Sequence, residues 1–461
     1  MKGINVLVLC ALSALSQQAA YGDDRLAVEL LSELVAINTA PSGGNDLRPA
    51  VDLLVTRLFD AGFDDDEIDI VRSGDKLPNL VVRLRSPQPQ REPILMMAHL
   101  DVVEALPEDW TVAPFELTQS GGYFYGRGTT DNKAGAAILI ANLIRMKREN
   151  FLPDRDLIVM LTADEETDGA GAWTLANEHR ALIDAEFALN TDGGYVMLKS
   201  GRPRAFIMQT GEKVYVSYRL AATDRGGHSS LPRADSAISR IARTLTALDE
   251  FRFPVSLNET TRLFFERWRE LAPAAERDLI DAVLAGKSDP ETSASLDDAP
   301  YYNALARTTC IATQLSGGHA ENAIPQSASA VVNCRVLPQF ATTTAMSALA
   351  VMADPNNVTL EQIYPDRPSP PSPLKKSVVG PITEVASEFW PGIVVIPEMS
   401  TGATDGLFIR NVGIPVYAVS AIAEEPDEIR AHGKDERIGV EAFRTATEYW
   451  YQLAVRLATP N

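Results

Sequence analysis

Cysteine is scarce in this chain: three residues, Cys10, Cys310 and Cys334, in 461. None sits in a cluster with metal-ligand spacing, so a cysteine-built zinc module is excluded. Positive charge is also short. Forty-two Lys and Arg face 62 Asp and Glu, a formal net charge of −20. Such a surface repels phosphate backbones and anionic lipid, which argues against nucleic acid or a membrane as a general partner. No repeat recurs, and beyond the N-terminus no apolar run is long enough to span a bilayer. Histidine is rare, with five in the whole chain, so a histidine beside acids at a strand end stands out. What is present is a globular composition, 45% hydrophobic and 23% charged. That excludes disordered, collagen-like and coiled-coil classes. At roughly 100–200 residues per domain, two or three compact units are expected.

The first 22 residues form a unit of their own. Lys2 precedes an apolar run from Ile4 to Leu15, and small and polar residues follow through Gly22. This is the layout of a secretory signal, with cleavage near Ala20 or Gly22. Leu9 before Cys10 argues against a lipid anchor. The expected location is therefore periplasmic or secreted, with no membrane attachment after cleavage. Export would place Cys310 and Cys334 in an oxidising compartment. Both fall in stretches that read as strands, Thr309–Leu315 and Ala328–Leu337. They could face each other across neighbouring strands and form a disulfide; two buried free thiols are the alternative.

From 23 to about 210 helical and strand patterns alternate. Asp24–Leu34, Leu47–Ala61, Ala134–Met146 and Trp173–Leu182 have helical spacing. Asn79–Leu84, Ile94–Ala98, Asp156–Leu161 and Phe187–Leu189 read as strands. Such alternation predicts an α/β layer with a mostly parallel sheet flanked by helices. The texture changes near Gly211. Val214–Leu220 alternates like a half-solvated strand, Ser236–Phe251 reads as a helix, Leu263–Ala285 as a charged helical stretch and Ser288–Asp298 as a loop. The cysteine-bearing strands, a helix near Thr343–Met352 and a strand Val358–Ile363 complete an α+β segment over 211–365. The proline-rich stretch Tyr364–Pro373 closes it. Over 366–461 the α/β pattern resumes. The expected architecture is one α/β domain, 23–210 and 366–461, interrupted by an inserted domain.

Five segments place acids or histidines just beyond predicted strands, where open α/β sheets gather their sites. In Ile94–Asp101, His99 ends a strand and can offer a ring nitrogen to a metal. Asp101, two residues on, can hold the other nitrogen. Gly126–Gly135 puts Asp131 in a glycine-rich turn before a helix, as a cap or as a carboxylate between two cations. Asp164-Glu165-Glu166 follows an apolar strand. Three adjacent acids repel each other unless metals or protons compensate, and one can ligate while its neighbour acts as base. The remaining two segments carry Asp192 and His432. His99, Asp131, Glu166, Asp192 and His432 together supply two metals with three ligands each when Asp131 bridges, leaving open positions for water and substrate.

Here a resemblance becomes specific. The chain resembles the two-zinc exopeptidases and amidases that include aminoacylase, carboxypeptidase S, carnosinase and succinyl-diaminopimelate desuccinylase. The stretches that carry it are His99-Leu-Asp-Val-Val, Trp110 with Pro114-Phe115, Tyr125-Gly-Arg-Gly-Thr-Thr-Asp-Asn-Lys, Asp164-Glu-Glu, Asn190-Thr-Asp-Gly-Gly, Gly227-His-Ser-Ser-Leu-Pro, Asn322-Ala-Ile-Pro and His432-Gly. They occur in the family's order across nearly the whole mature chain. The resemblance implies that His99 and Asp192 bind one zinc and that Glu166 and His432 bind the other. Asp131 would bridge them, joined to Asn132 by a cis bond. Glu165 would be the general base and Asp101 the partner of His99. The inserted segment would be a lid and dimerisation domain, making a homodimer. In it His228 would reach a neighbouring active site and steady the oxyanion, Asn322 would bind near the scissile amide, and Arg335 with Gly402 and Thr404 would hold a substrate carboxylate. Ala134 stands where many members have glycine, a departure expected to be harmless. Manganese or cobalt fits the same ligand types as zinc.

These parts imply hydrolysis of an amide bond by a metal-activated water. An exported exopeptidase acting on short peptides with a free C-terminal carboxylate is the first expectation. An N-acyl-amino-acid deacylase is the alternative, and the motifs do not separate the two. A catalytically silent metal-binding scaffold has no need of Glu165.

Overall fold

The structure, a computed structural model, describes residues 24–460. The predicted signal segment lies outside the described residues. Among those described, no helix is long and apolar enough to cross a membrane. The described residues divide into two compact units: residues 24–209, 373–396 and 412–460, and residues 210–372 with 397–411. Residues 397–411 therefore group with the second unit, although the alternation of patterns had placed them in the resumed α/β domain.

The first unit is an α/β layer. Neighbouring strands run in the order Ile68–Gly74, Leu77–Leu84, Leu157–Thr162, Ile94–His99, Phe187–Asn190, Val416–Ala418 and on to Arg202–Glu212, Tyr195–Lys199 and Ala423–Glu424. The central pairs, from Leu157–Thr162 through Ile94–His99 and Phe187–Asn190 to Val416–Ala418, are parallel. The strands Ile94–His99 and Leu157–Thr162 are buried at every residue. This is why they read as unbroken apolar runs rather than alternating ones. Parallel central strands point their carboxyl ends the same way. His99, Asp164 and Asp192 follow three of these ends, so the topology collects them at one edge of the sheet.

Helix Lys133–Arg148 is buried along nearly its whole length, with Ala134, Ala136, Ala137, Ile138 and Ile140 inaccessible. It contacts the strand Ile94–His99 and the helices Arg25–Ala36 and Val440–Leu457, so its small and aliphatic residues meet protein on all sides. Gly135 sits where a Cβ would come within 2.1 Å of Thr191 Oγ1. The helix start passes too close to the loop after Phe187–Asn190 for any side chain. Ala134, one position earlier, is buried without such a clash.

The second unit has a four-stranded antiparallel sheet in the order Thr309–Gly317, Ser327–Val336, Val214–Thr223, Thr359–Gln362. Helices Ala237–Glu250 and Thr343–Ala353 share its core of Val216, Tyr218, Leu220, Ile241, Val332 and Leu349. Cys310 and Cys334 are direct partners in the register and form a disulfide. One reading is corrected here. Ser288–Asp298 is not a loop, because Pro290–Asp297 is a helix. Asp289 caps it by accepting the Thr292 N–H at 2.8 Å, and proline occupies its first turn. The cap signal was in the sequence, but only Thr292 and Leu296 are buried, too few to give a helical period.

Candidate metal centre

The strand Ile94–His99 ends by delivering a buried imidazole. His99 Nε2 lies 2.9 Å from Asp131 Oδ1, and Nδ1 lies 3.1 Å from the carbonyl oxygen of Asp101 and 3.5 Å from its Oδ1. The Asp101 carboxylate has further work: it accepts the backbone N–H groups of Glu165 and Glu166, at 3.1 and 3.0 Å. Asp101 thus orients the imidazole on one side and fixes the acidic loop on the other. Within that loop Asp164 has φ 65°, a left-handed conformation that aspartate tolerates better than most residues. Its carboxylate caps the helix Ala170–Asn177 through the N–H groups of Ala170 and Gly171. Of the three adjacent acids, one is therefore a cap. Glu166 turns toward His432, whose Nε2 lies 3.0 Å from both Glu166 Oε2 and Asp131 Oδ2.

Two groups of ligand atoms result, each with its members within 4.8 Å of one another: His99, Asp131 and Asp192, and Asp131, Glu166 and His432. Asp131 belongs to both through its two oxygens. It does not cap the helix Lys133–Arg148, whose N-cap position is Asn132, and its peptide bond to Asn132 is cis. The local field favours cations. Hydrogen bonds to Asp131 and Glu166 push the His432 imidazole up to about 10. At His99, burial opposes charge, but the contacts with Asp101 and Asp131 outweigh it and raise the group well above its usual value. Burial works against the Asp131 carboxylate, yet its two histidine partners hold it below the usual range. The buried Glu166 Oε1 has no hydrogen-bond partner among the described residues. An orphaned carboxylate oxygen and two histidines held by carboxylates are what metal ions would satisfy, taking the place of the protons. The residues present fit a two-metal centre.

The second unit collects the other candidate residues into two places. His228 lies on the short strand Gly227–His228, paired in register with Ala323. The Ser229 N–H donates to the carbonyl of Asn322 at 3.0 Å. His228 and Asn322 are therefore neighbours, and both are exposed. His228 Nδ1 accepts the Ser230 N–H at 3.1 Å, leaving Nε2 as the outward atom. Arg335 lies on Ser327–Val336, its guanidinium 4.6 Å from the Tyr215 ring centre and donating to the Thr401 carbonyl at 3.3 Å. The loop holding Gly402 and Thr404 is pinned by Glu212, which accepts both the N–H and the hydroxyl of Thr404 and forms a buried ion pair with Arg410. His319 and His179, given no role from sequence, are exposed.

Several buried carboxylates had no role from the sequence, Glu212 and Glu436 among them; Glu436 is wholly inaccessible and paired with Arg127. Glu436 stands four residues after His432, but nothing in the linear order shows an acid buried. A cavity of about 440 Å³ lies in the first unit beside Glu166, walled by Pro41, Leu47, Leu77, Val102 and Val103 with Lys76 and Glu104.

Comparison with known proteins agrees with this geometry. The model of peptidase family M20/M25/M40 matches residues 95–456. The chain belongs to this family of metal-dependent peptidases and amidohydrolases, and it is a hydrolase of amide bonds. It is 27% identical over 384 residues to the human N-fatty-acyl-amino acid synthase/hydrolase PM20D1, covering 80% of this chain and 75% of that one. It is 28% identical over 372 residues to a probable carboxypeptidase S-like 2 of Dictyostelium discoideum, covering 78% and 71%. Its fold matches the M20 family metallo-carboxypeptidase Sso-CP2 of Sulfolobus solfataricus with TM-score 0.68 at 18% identity, over 94% of this chain and 99% of that one.

Proposed function

We propose that the chain is an exported metal-dependent exopeptidase, a carboxypeptidase or dipeptidase, that cleaves the amide bond of short peptides bearing a free C-terminal carboxylate. The observation that carries this reading is the pair of ligand groups sharing Asp131, with Glu165 between Asp164 and the ligand Glu166. His99, Asp131 and Asp192 would hold one zinc ion, and Asp131, Glu166 and His432 the other. When bound, the two ions would supply Lewis-acid activation of a water and of the amide carbonyl. Glu165 would take a proton from the attacking water and return it to the leaving nitrogen. Asp101, holding the Glu165 and Glu166 N–H groups, keeps the base and its neighbouring ligand in register. His228 reaches a neighbouring active site and steadies the developing oxyanion there, and Asn322 binds the substrate near the scissile amide. Arg335 offers a planar fork to the terminal carboxylate, with Gly402 and Thr404 lining that pocket.

Export is supported by the N-terminal signal pattern and by the Cys310–Cys334 disulfide, a bond kept in oxidising compartments. A homodimer is supported by the edge strand Thr309–Gly317, which leaves Ile311 and Leu315 exposed at 68% and 69%. An open apolar edge needs a cover, and a second copy of the unit supplies one. Sedimentation of the protein, with Ile311→Lys as the monomerising variant, tests this.

The second reading is deacylation of N-acyl amino acids. The cavity beside Glu166 favours it, because its proline, leucine and valine walls suit an acyl chain. So does the likeness to a human N-fatty-acyl-amino acid hydrolase. The test is a hydrolysis screen of the metal-loaded protein with dipeptides, N-acetyl amino acids and long-chain N-acyl amino acids, each with a chelator control. Chelator-sensitive cleavage of dipeptides alone establishes the first reading. Cleavage of acyl amino acids alone replaces it with the second.

A further inference from the structure

The two groups of ligand atoms are carried by loops far apart in sequence, and something must set their spacing. Gly126–Asp131 carries the shared ligand, and 432–436 carries the exposed histidine. Glu436 is completely buried, and its carboxylate accepts five hydrogen bonds. Its Oε1 accepts the Thr130 N–H at 2.7 Å, the Thr130 hydroxyl at 2.9 Å and the Asp131 N–H at 3.1 Å. Its Oε2 accepts Arg127 at 2.7 Å and the Gly128 N–H at 3.0 Å. Arg127 then donates to the carbonyl of Gly433, next to His432, at 3.0 Å and to that of Glu104 at 3.1 Å, and lies over the Trp110 ring. The backbone joins the same points, with the Gly126 N–H on the Glu436 carbonyl.

We propose that Glu436 and Arg127 form one positioning device that sets His432 against Asp131, and so tunes the Asp131–Glu166–His432 metal subsite more than the His99–Asp131–Asp192 one. The asymmetry follows from the contacts. His99 is fixed by its own buried strand and by Asp101. His432 is half exposed with φ 62°, and its neighbour Gly433 is held by Arg127. A carboxylate can accept at both oxygens, which matches the five donors around Glu436. A glutamine must turn its NH₂ toward Arg127 and Gly128 or toward Thr130 and Asp131.

This inference rests on the two-metal reading. Its test is calorimetric zinc titration of the metal-free protein and of Glu436→Gln, Arg127→Lys and Thr130→Val, with the melting temperature of each metal-free variant. Wild type is expected to take up two equivalents; uptake of none overturns the two-metal reading itself. Glu436→Gln is expected to keep its first equivalent within about threefold and to weaken the second by about 10–100-fold, the usual cost of losing an outer support of a ligand. Arg127→Lys keeps the charge but loses the fork, and is expected to weaken the second equivalent about tenfold. Thr130→Val removes only the hydroxyl donor and keeps the N–H, so it is the mildest of the three changes and the one that reports if the others do not fold. Its second equivalent is expected to fall by a few-fold. Equal weakening of both equivalents, or no change in the second beyond threefold in folded variants, overturns the proposal.

Discussion

Each unit contains a buried arginine–glutamate pair, and the two pairs serve different kinds of residue. In the first unit, Arg127–Glu436 holds the two loops that carry the candidate ligands Asp131 and His432, which are 20% and 56% exposed. In the second, Arg410–Glu212 holds the Thr404 loop, but His228 and Asn322 stand exposed on a two-stranded ribbon. The difference follows the chemistry assigned to each. Metal ligands must be held within a fraction of an ångström by supporting hydrogen bonds. Residues that meet a substrate can remain solvated and be ordered when it arrives. The buried pair is the common device, and what it holds differs: candidate metal ligands in one unit, a candidate substrate loop in the other.

That comparison can be broken at several points. The largest effect is expected from Arg410→Met, which strands the Glu212 carboxylate in the interior. Removing one member of a buried pair costs about 3–5 kcal/mol. Urea unfolding followed at the second unit should register it, and an unchanged midpoint would show that the Thr404 loop does not depend on the pair. Next is the disulfide, which closes a 24-residue separation. Replacing Cys310 and Cys334 by serine should lower stability by about 3 kcal/mol on the chain-entropy model. Melting with and without reductant measures this, and reductant should have no effect on the variant. In the first unit, Glu165→Gln should keep both metals and lose at least about a hundredfold in kcat. Activity within tenfold of wild type would remove Glu165 from the role of base. The smallest effect is expected at Arg335→Lys, with KM raised roughly tenfold and kcat nearly unchanged, because a point charge replaces the fork. A fall in kcat with KM constant would assign Arg335 to the transition state instead.

Much of this was legible beforehand because it is local. The runs Ile94–Ala98 and Asp156–Leu161 announce buried parallel strands, and the acid or histidine after each announces a strand-end site. The helix of Ala134–Met146 is visible in its composition. Other features were not legible. Asp164 reads as one of three equivalent acids, and only the chain's turn into the left-handed region makes it a cap. Pro290–Asp297 buries too little to show a period. The membership of 397–411 in the second unit goes with contacts to residues distant in sequence, Glu398 with Tyr301, Thr401 with Arg335 and Thr404 with Glu212.

By itself the amino-acid order determined the α/β class, the inserted segment and the five ligand types, since these depend on side-chain periodicity and on which residues can bind a metal. Only the tertiary structure decided that Asp131 turns one oxygen to each histidine, that Asp101 serves both His99 and the Glu165–Glu166 backbone, and that Glu436 and Glu212 are buried. Burial and shared hydrogen bonds join residues hundreds of positions apart, and no local pattern encodes which distant donors a carboxylate will meet.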